Sequence, residues 1–233
     1  MCMGGVSLLA ISCSNSAGGS SGGSGGTPAS YIGSKKPTDA WAVGDFVYSD
    51  GSADSKDATL DATKKAAAVA VIFDATNKKG VGLKSEGNLK WAPEATTGYI
   101  TNFNTDENDG SGNWAVIQAA DSSGAASAAA NYPAFNFCNA YGVAVAGVST
   151  GWYLPAKGEI KALDSAKDVI DASIGKIGES GNNVAKLGTV TSYHWSSSQG
   201  SDTATTYFHS FRDGNGGSGD KKYELYVRAI RKF

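Results

Sequence analysis

Apolar residues in this chain come in short runs with two different periods. Val43-Gly44-Asp45-Phe46-Val47-Tyr48 alternates and stops at Ser49-Asp50-Gly51-Ser52, which predicts a strand entering a turn. Residues 66–73, AAAVAVIF, are continuously apolar and predict a buried strand. Val81-Gly82-Leu83-Lys84 and Leu89-Lys90-Trp91-Ala92 flank Ser85-Glu86-Gly87-Asn88 and predict a hairpin. The period lengthens at residues 132–142. Pro133 suits a first helical turn, and Ala134, Phe137, Cys138 and Tyr141 share a helical face. A second helix is predicted from Ala156 to about Asp171, with Ile160, Leu163, Val169 and Ile170 on its apolar side. Residues 175–188 predict a loop. The last 41 residues return to period two, with strands at 207–211 and 226–231 around a Gly-rich loop at 212–220.

Composition narrows the class. The chain has 233 residues, 41% hydrophobic and 18% charged, with formal net charge −2. One domain of about 200 residues behind a leader is expected. With 31 Gly and 5 Pro, the chain predicts a loop-rich globule rather than a helical bundle. The near-neutral charge carries no basic footprint, so nucleic acid is not an expected partner. No stretch holds the ~18 apolar residues of a membrane-spanning helix.

The leader has its own pattern. Residues 1–12 are apolar and small, and Leu9-Ala10-Ile11-Ser12-Cys13 resembles the lipobox at the end of a bacterial lipoprotein signal peptide (residues 1–13). Cys13 is the expected lipidation site. Residues 14–30, nearly all Gly and Ser as far as 26, predict a flexible tether. The ligand-binding domain is expected at 31–233, on the cell surface as an outer-membrane lipoprotein that meets the membrane through its N-terminal lipid only.

The remaining chemistry is sparse. Cys2 and Cys13 lie in the leader, which leaves Cys138 alone in the body as a buried small hydrophobe. Residues 102–113, NFNTDENDGSGN, fail calcium-loop spacing because Asp109 stands where the sharp-turn Gly is needed, so a solvated turn is expected. No metal or cofactor is expected. Arg228 and Arg231 are expected to pair with surface carboxylates. Both histidines, His194 and His209, lie in the last segment among Tyr, Ser, Arg and Asn, the composition of a binding surface. Trp152 and Trp195 are expected in the core.

Several motifs in this order carry a family likeness: Val43-Gly44-Asp45 with Tyr48-Ser49-Asp50-Gly51, Asn113-Trp114-Ala115, Gly151-Trp152-Tyr153-Leu154-Pro155 with Gly158-Glu159, Trp195-Ser196-Ser197-Ser198, and Val227-Arg228-Ala229-Ile230-Arg231. Together they resemble the C-type-lectin-like domains of Bacteroidetes and Treponema surface lipoproteins. That group is related to the formylglycine-generating-enzyme branch of the fold. Within it the chain is similar to the variable proteins of diversity-generating retroelements.

The resemblance implies an α+β, C-type lectin-like fold, with two helices around short twisted antiparallel strands. It implies a C-terminal region, 193–233, that is rewritten at selected codons and binds a protein or glycan ligand. Template adenines are the mutated bases, so AAC-type codons reach Tyr, His, Ser, Arg, Asp, Asn, Gly or Thr but not Trp, Lys, Gln or Glu. Tyr193, His194, Tyr207, His209, Ser210, Arg212, Asp213 and Asn215 are all reachable, and are expected to converge on one exposed ligand-binding patch. The alternative is an envelope lipoprotein of the same fold that is not diversified. An enzyme is not expected, since the enzymes of that branch need paired cysteines or a metal.

Overall fold

The computed structural model describes residues 30–178, 184–189 and 193–233. Cys13 and the tether up to residue 29 lie outside the described residues. Tyr31–Phe233 form one compact unit. Among the described residues no helix is long and apolar enough to cross a membrane.

The architecture is mixed α+β around a mostly antiparallel sheet. Its strands are β1 (Phe46–Tyr48), β2 (Ala53–Asp54), β3 (Ala68–Asp74), β4 (Lys79–Leu89), β5 (Trp152–Tyr153), β6 (His194–Gln199), β7 (Thr205–His209), β8 (Gly216–Asp220) and β9 (Leu225–Lys232). They run in the order β2-β1-β3-β4-β9-β6-β7-β8, with β5 also on β9. The parallel pair is β6 with β9, joined at His194 and Tyr226. Helices lie on both faces: α1 (Ala62–Ala67), α2 (Thr97–Ile100), α3 (Asn113–Ala120), α4 (Ser122–Ala126), α5 (Ala128–Asn131), α6 (Pro133–Asn139), α7 (Lys157–Ser165) and α8 (Lys167–Ile177).

Two apolar clusters sandwich the sheet. Ala70 and Ile72 of β3 join Trp91, Phe135, Trp152 and Trp195 on one side. Val71 and Phe73 join Tyr153, Ile160, Leu163, Ile170 and Ile174 on the other. A strand covered on both faces must be apolar at every position, which explains the continuous run in β3. Residues 66 and 67 of the predicted strand end α1 instead. Trp152 and Trp195 are buried as expected, and so is Cys138, whose thiol is pushed up by burial.

Several sequence expectations are corrected. The segment predicted as a hairpin is a single strand as far as Leu89, because Ser85 and Glu86 pair with Arg228 and Val227 of β9. That ladder absorbs the turn-forming residues as irregularities, with Asn88 at φ 59° and Gly87 close against the Tyr226 ring. On α6, Phe135 is buried while Phe137 is half-buried. The second helix breaks at Ala166, and α8 continues to Ile177, into the stretch predicted as loop. Its buried stripe is Ile160, Leu163, Ile170, Ile174 and Ile177; Val169 sits one position off it and is exposed. The Gly-rich loop at 212–220 ends in β8, since Gly216 and Gly219 leave room for the Tyr207 and Phe208 rings of β7. Helices α1 to α5 lie outside the two helices that the sequence predicts.

The arginine expectation also fails. Arg228 is buried and donates from Nε to Gly82 O (2.8 Å) and from Nη2 to Ala185 O (2.6 Å). Arg231 donates to Val148 O (2.7 Å). Arg228 meets carbonyls because its side chain is buried between β4 and the 184–185 segment, whereas Arg231 reaches the carbonyl of an exposed loop residue.

Lys221, between β8 and β9, is fully buried. Its Nζ donates to Gly98 O (2.8 Å) and Thr101 O (3.0 Å), and lies 4.5 Å from the Trp91 ring centroid and 5.2 Å from that of Phe103. Its own carbonyl accepts from Trp91 N and Ala92 N. Burial pushes this ammonium down to about 7. In the unfolded chain the amine titrates near ~10.4. Between those values the unfolded state binds the extra proton, so this group makes stability rise with pH from about 7 to ~10. Lys221→Met should flatten that rise, by up to ~1.4 kcal/mol per pH unit, in urea titrations at pH 7, 8 and 9. Parallel pH profiles for the two chains would contradict the assignment.

Candidate functional site

The C-terminal strands are tied down by the Trp-Ser-Ser-Ser run at the start of β6. Trp195 Nε1 donates to Leu89 O (2.8 Å), and Ser196 O accepts from Trp91 Nε1 (3.1 Å). Ser197 Oγ accepts from Asn113 Nδ2 (2.8 Å), and Ser198 Oγ accepts from the Lys157 N–H (2.9 Å). All four side chains are buried. Small hydroxyl residues suit this position because each must bond a different neighbouring backbone or side chain without adding bulk. The run is a frame and not a ligand surface.

The strand period divides the eight candidate residues. Tyr193 is exposed and packs on Phe208, 4.5 Å between centroids. Tyr207 and His209 alternate with Phe208, so they face the opposite side, toward α7. His194 is the cross-strand partner of His209 and shares that face. Tyr193 therefore stands apart from Tyr207.

Burial corrects three more expectations of exposure. His194 is 1% exposed, His209 3% and Ser210 4%. The two imidazoles lie against Phe211 at 4.8 and 5.6 Å. They are drawn inward because β7 packs its α7-facing side on the second apolar cluster. Ser210 closes the turn after β7: its N–H donates to Asn215 O (2.7 Å), and its carbonyl accepts from Gly214 N (3.0 Å), with Gly214 at φ 71°. That turn pushes Arg212, Asp213 and Asn215 out into solvent. Hydrogen bonds from Ser210 and Asn215 hold the Asp213 carboxyl below its ordinary range.

The accessible face is thus the exposed Arg212, Asp213 and Asn215 with Tyr207, which is half-buried on the second cluster rather than fully exposed, bordered by α7. Lys157 Nζ and Lys161 Nζ lie 5.5 and 5.6 Å from the Tyr207 ring centroid. Beneath the ring, His209 Nε2 stands 3.1 Å from Asp164 Oδ2, at ion-pair distance but without hydrogen-bond alignment. His209 Nδ1 is 3.4 Å from the Tyr207 hydroxyl. Burial raises the Tyr207 phenol; Lys157 opposes that shift and Asp164 adds to it. Sequence reasoning missed Lys157, Lys161 and Asp164. Their spacing of four and three residues, on the face of α7 flanking Ile160 and Leu163, was the available signal.

The surface suits binding by an aromatic ring, ammonium groups and a polar turn. The Asp164, His209 and Tyr207 groups form an acid–base line whose imidazole is buried while both its carboxylate and phenol ends are partly exposed. Among the described residues no group of three or more His, Cys, Asp or Glu is placed to hold a metal. In the 102–113 stretch, Asp106 accepts from Asn108 N and Asp109 N, and Asp109 accepts from Ser111 N, so both carboxylates cap backbone. The stretch is less solvated than expected, with Gly110 and Asn113 buried.

His194 is the energetic oddity of the site. Neither ring nitrogen has a hydrogen-bond partner among the described residues. Burial, with the Arg228 charge and then His209 adding, lowers its imidazole to about 3. It stays neutral in the folded state while the unfolded state protonates near ~6.5. Its contribution to stability is therefore intact above ~6.5 and is lost as pH falls toward about 3. An orphaned buried polar group costs ~1–3 kcal/mol, so His194→Leu should stabilise the fold by about 1 kcal/mol at pH 7. It should also shrink the acid loss between pH 6 and 4. Equilibrium denaturation at those three pH values checks both, and a destabilised His194→Leu chain would refute the reading. No protein-family model matches this sequence, and no curated protein matches it closely enough to be a relative.

Proposed function

We propose that the chain is a surface-displayed lipoprotein with a C-type lectin-like fold that binds a protein or glycan ligand. The contacts come from the C-terminal segment, about 193–226, helped by α7. The observation that carries this reading is the division of labour within one segment. Trp195 to Ser198 are locked into the frame, while Arg212, Asp213 and Asn215 are presented on its outside and Tyr207 stands half-buried between them and the second apolar cluster. Tyr supplies a large contact area at small entropy cost, Asn and Asp supply adaptable hydrogen bonds, and Arg212 supplies a planar fork for paired ones. Such residues can change without unfolding the chain, which is the requirement for diversification by a retroelement. Binding, not catalysis, is the activity in this reading, with no cofactor and no nucleic acid.

A second reading is favoured by His194, His209 and Ser210. Rewriting buried positions disturbs packing, so these three fit a fixed envelope protein of the same fold better than a diversified one. Genomic sequence separates the two. A reverse transcriptase gene beside a near-copy of the last ~40 codons, differing at adenines, supports diversification; its absence supports the fixed protein.

Two measurements test the proposal. Exposed substitutions away from special contacts usually stay within ~0.5 kcal/mol, so Arg212→Ala, Asp213→Ala and Asn215→Ala should keep the melt close to wild type, and Tyr207→Ala, added to them as a quadruple variant, should lower it without unfolding the chain because the half-buried ring packs on the second cluster. On a glycan array and a displayed peptide library, wild type should select binders that the quadruple variant loses. Binders retained by the variant would refute the assigned face. Separately, labelled palmitate should enter the wild-type chain in a bacterial host and fail to enter Cys13→Ala. Equal labelling would remove the lipid anchor.

A further inference from the structure

A second site lies far from the proposed ligand face along the sheet order, where α1, β3, β4 and the end of α8 meet. There a cleft of about 520 Å³ opens to the surface. That size falls within the ~300–1,000 Å³ of small-molecule sites. Its apolar wall is built by Val69, Leu83 and Ile177, and its polar groups are Lys65, Lys84 and Tyr141. No carboxylate lines it among the described residues.

Each of these side chains carries at least one donor, and only the Tyr141 oxygen can also accept. Neither Lys65 nor Lys84 forms a salt bridge among the described residues. The Tyr141 oxygen accepts from the Lys84 N–H (2.8 Å), and no acceptor is found for its own proton among the described residues. Tyr141 reaches the cleft by crossing β4 where Gly82 gives it room: a Cβ there would come within 2.8 Å of the phenol. The same Gly82 offers its carbonyl to Arg228. That guanidinium is buried and, among the described residues, has Nη1 unpartnered and carbonyls rather than carboxylates as its hydrogen-bond partners. It adds a third positive charge beneath the residues lining the cleft. Low-dielectric walls strengthen the field of such charges at the opening.

We propose that this cleft binds a small amphipathic anion: one carboxylate head with an unbranched apolar body, of the medium-chain fatty-acid class. The head sits between Lys65 Nζ, Lys84 Nζ and the Tyr141 hydroxyl. The body lies on Val69, Leu83 and Ile177. The head group supplies an acceptor that the described residues do not offer these donors, and the body fills the cleft against side chains that are only 5–8% exposed, gaining dispersion contacts. The site is independent of Tyr207 and Arg212.

The test uses the full chain and sodium decanoate below its micelle concentration, followed by titration calorimetry. Wild type should bind saturably at one site. The exposed pair Lys65→Gln and Lys84→Gln, combined, should weaken binding at least tenfold. Ala66→Trp, which fills the mouth from α1, should abolish it. 1-Decanol should bind at least tenfold more weakly than decanoate, because it lacks the charge. The quadruple variant of the proposed ligand face should bind decanoate as wild type does, so failure at either site is separable. Absence of saturable binding, equal affinity for decanoate and decanol, or affinity unchanged in both cleft variants would overturn the proposal. So would binding to phosphatidylglycerol vesicles that Ala66→Trp abolishes in a chain that does not bind decanoate, since the head group would then be a membrane surface. If Ala66→Trp fails to fold by circular dichroism, the lysine pair and the decanol comparison still decide the question.

Discussion

Much of this fold converges on one buried carboxylate. Glu159, 4% exposed, stands on the first turn of α7 and takes four hydrogen bonds. Oε1 accepts from Lys79 Nζ (2.5 Å) and the Tyr153 hydroxyl (2.8 Å). Oε2 accepts from the backbone of Gly110 (3.0 Å) and Ala156 (2.8 Å). The four donors belong to β4, β5, the loop before α3, and the residue that opens α7. A buried anion is tolerated only when its lone pairs are filled, and removing one partner of such a pair costs ~3–5 kcal/mol. Burial would lower the Lys79 ammonium, but its bonds to Glu159 and the charge of Asp109 outweigh that and raise it. Glu159 also reaches back to its helix N-terminus, where Ala156 has no side-chain oxygen to cap it.

That junction bears on the ligand face through α7. Glu159 fixes where α7 begins, and Lys157, Lys161 and Asp164 follow from its rotation. These three border Tyr207 and His209 without belonging to the C-terminal segment. The proposed binding surface is therefore half frame and half presented residues. Ser198, which accepts from the Lys157 N–H, ties the two halves together. A ligand face built this way can change its exposed residues while the ammonium groups and the acid beneath stay in place.

Two other buried cations show how a core with many carbonyls handles charge. Lys221 is held by two carbonyls and two aromatic faces, and Arg228 by two carbonyls. Burial lowers both, to about 7 and about 10. They anchor the chain on either side of the β8–β9 connection. The bond from Arg228 to Gly82 O places its guanidinium against β4, beneath the residues that line the cleft.

The sequence by itself determined most elements whose pattern comes from burial. The apolar run of β3, the alternation of β9, the helical spacing of Ile160, Leu163 and Ile170, and the buried tryptophans were legible, because local periodicity and core burial are the same constraint. The tertiary structure decided what depends on a neighbour. Ser85-Glu86-Gly87-Asn88 carries turn chemistry, yet pairing with β9 straightens it into a strand. Gly216 to Asp220 looks like loop, yet Tyr207 and Phe208 supply the packing its glycines lack. His194 and His209 have the composition of a surface, but register on β6 and β7 turns them inward. The exposed members of the candidate face were nameable from residue type; their separation from the buried ones, and the lysines of α7 beside them, were not. Which side of a strand meets a helix is set by the register with other strands, and register is a property of the pair and not of either segment alone.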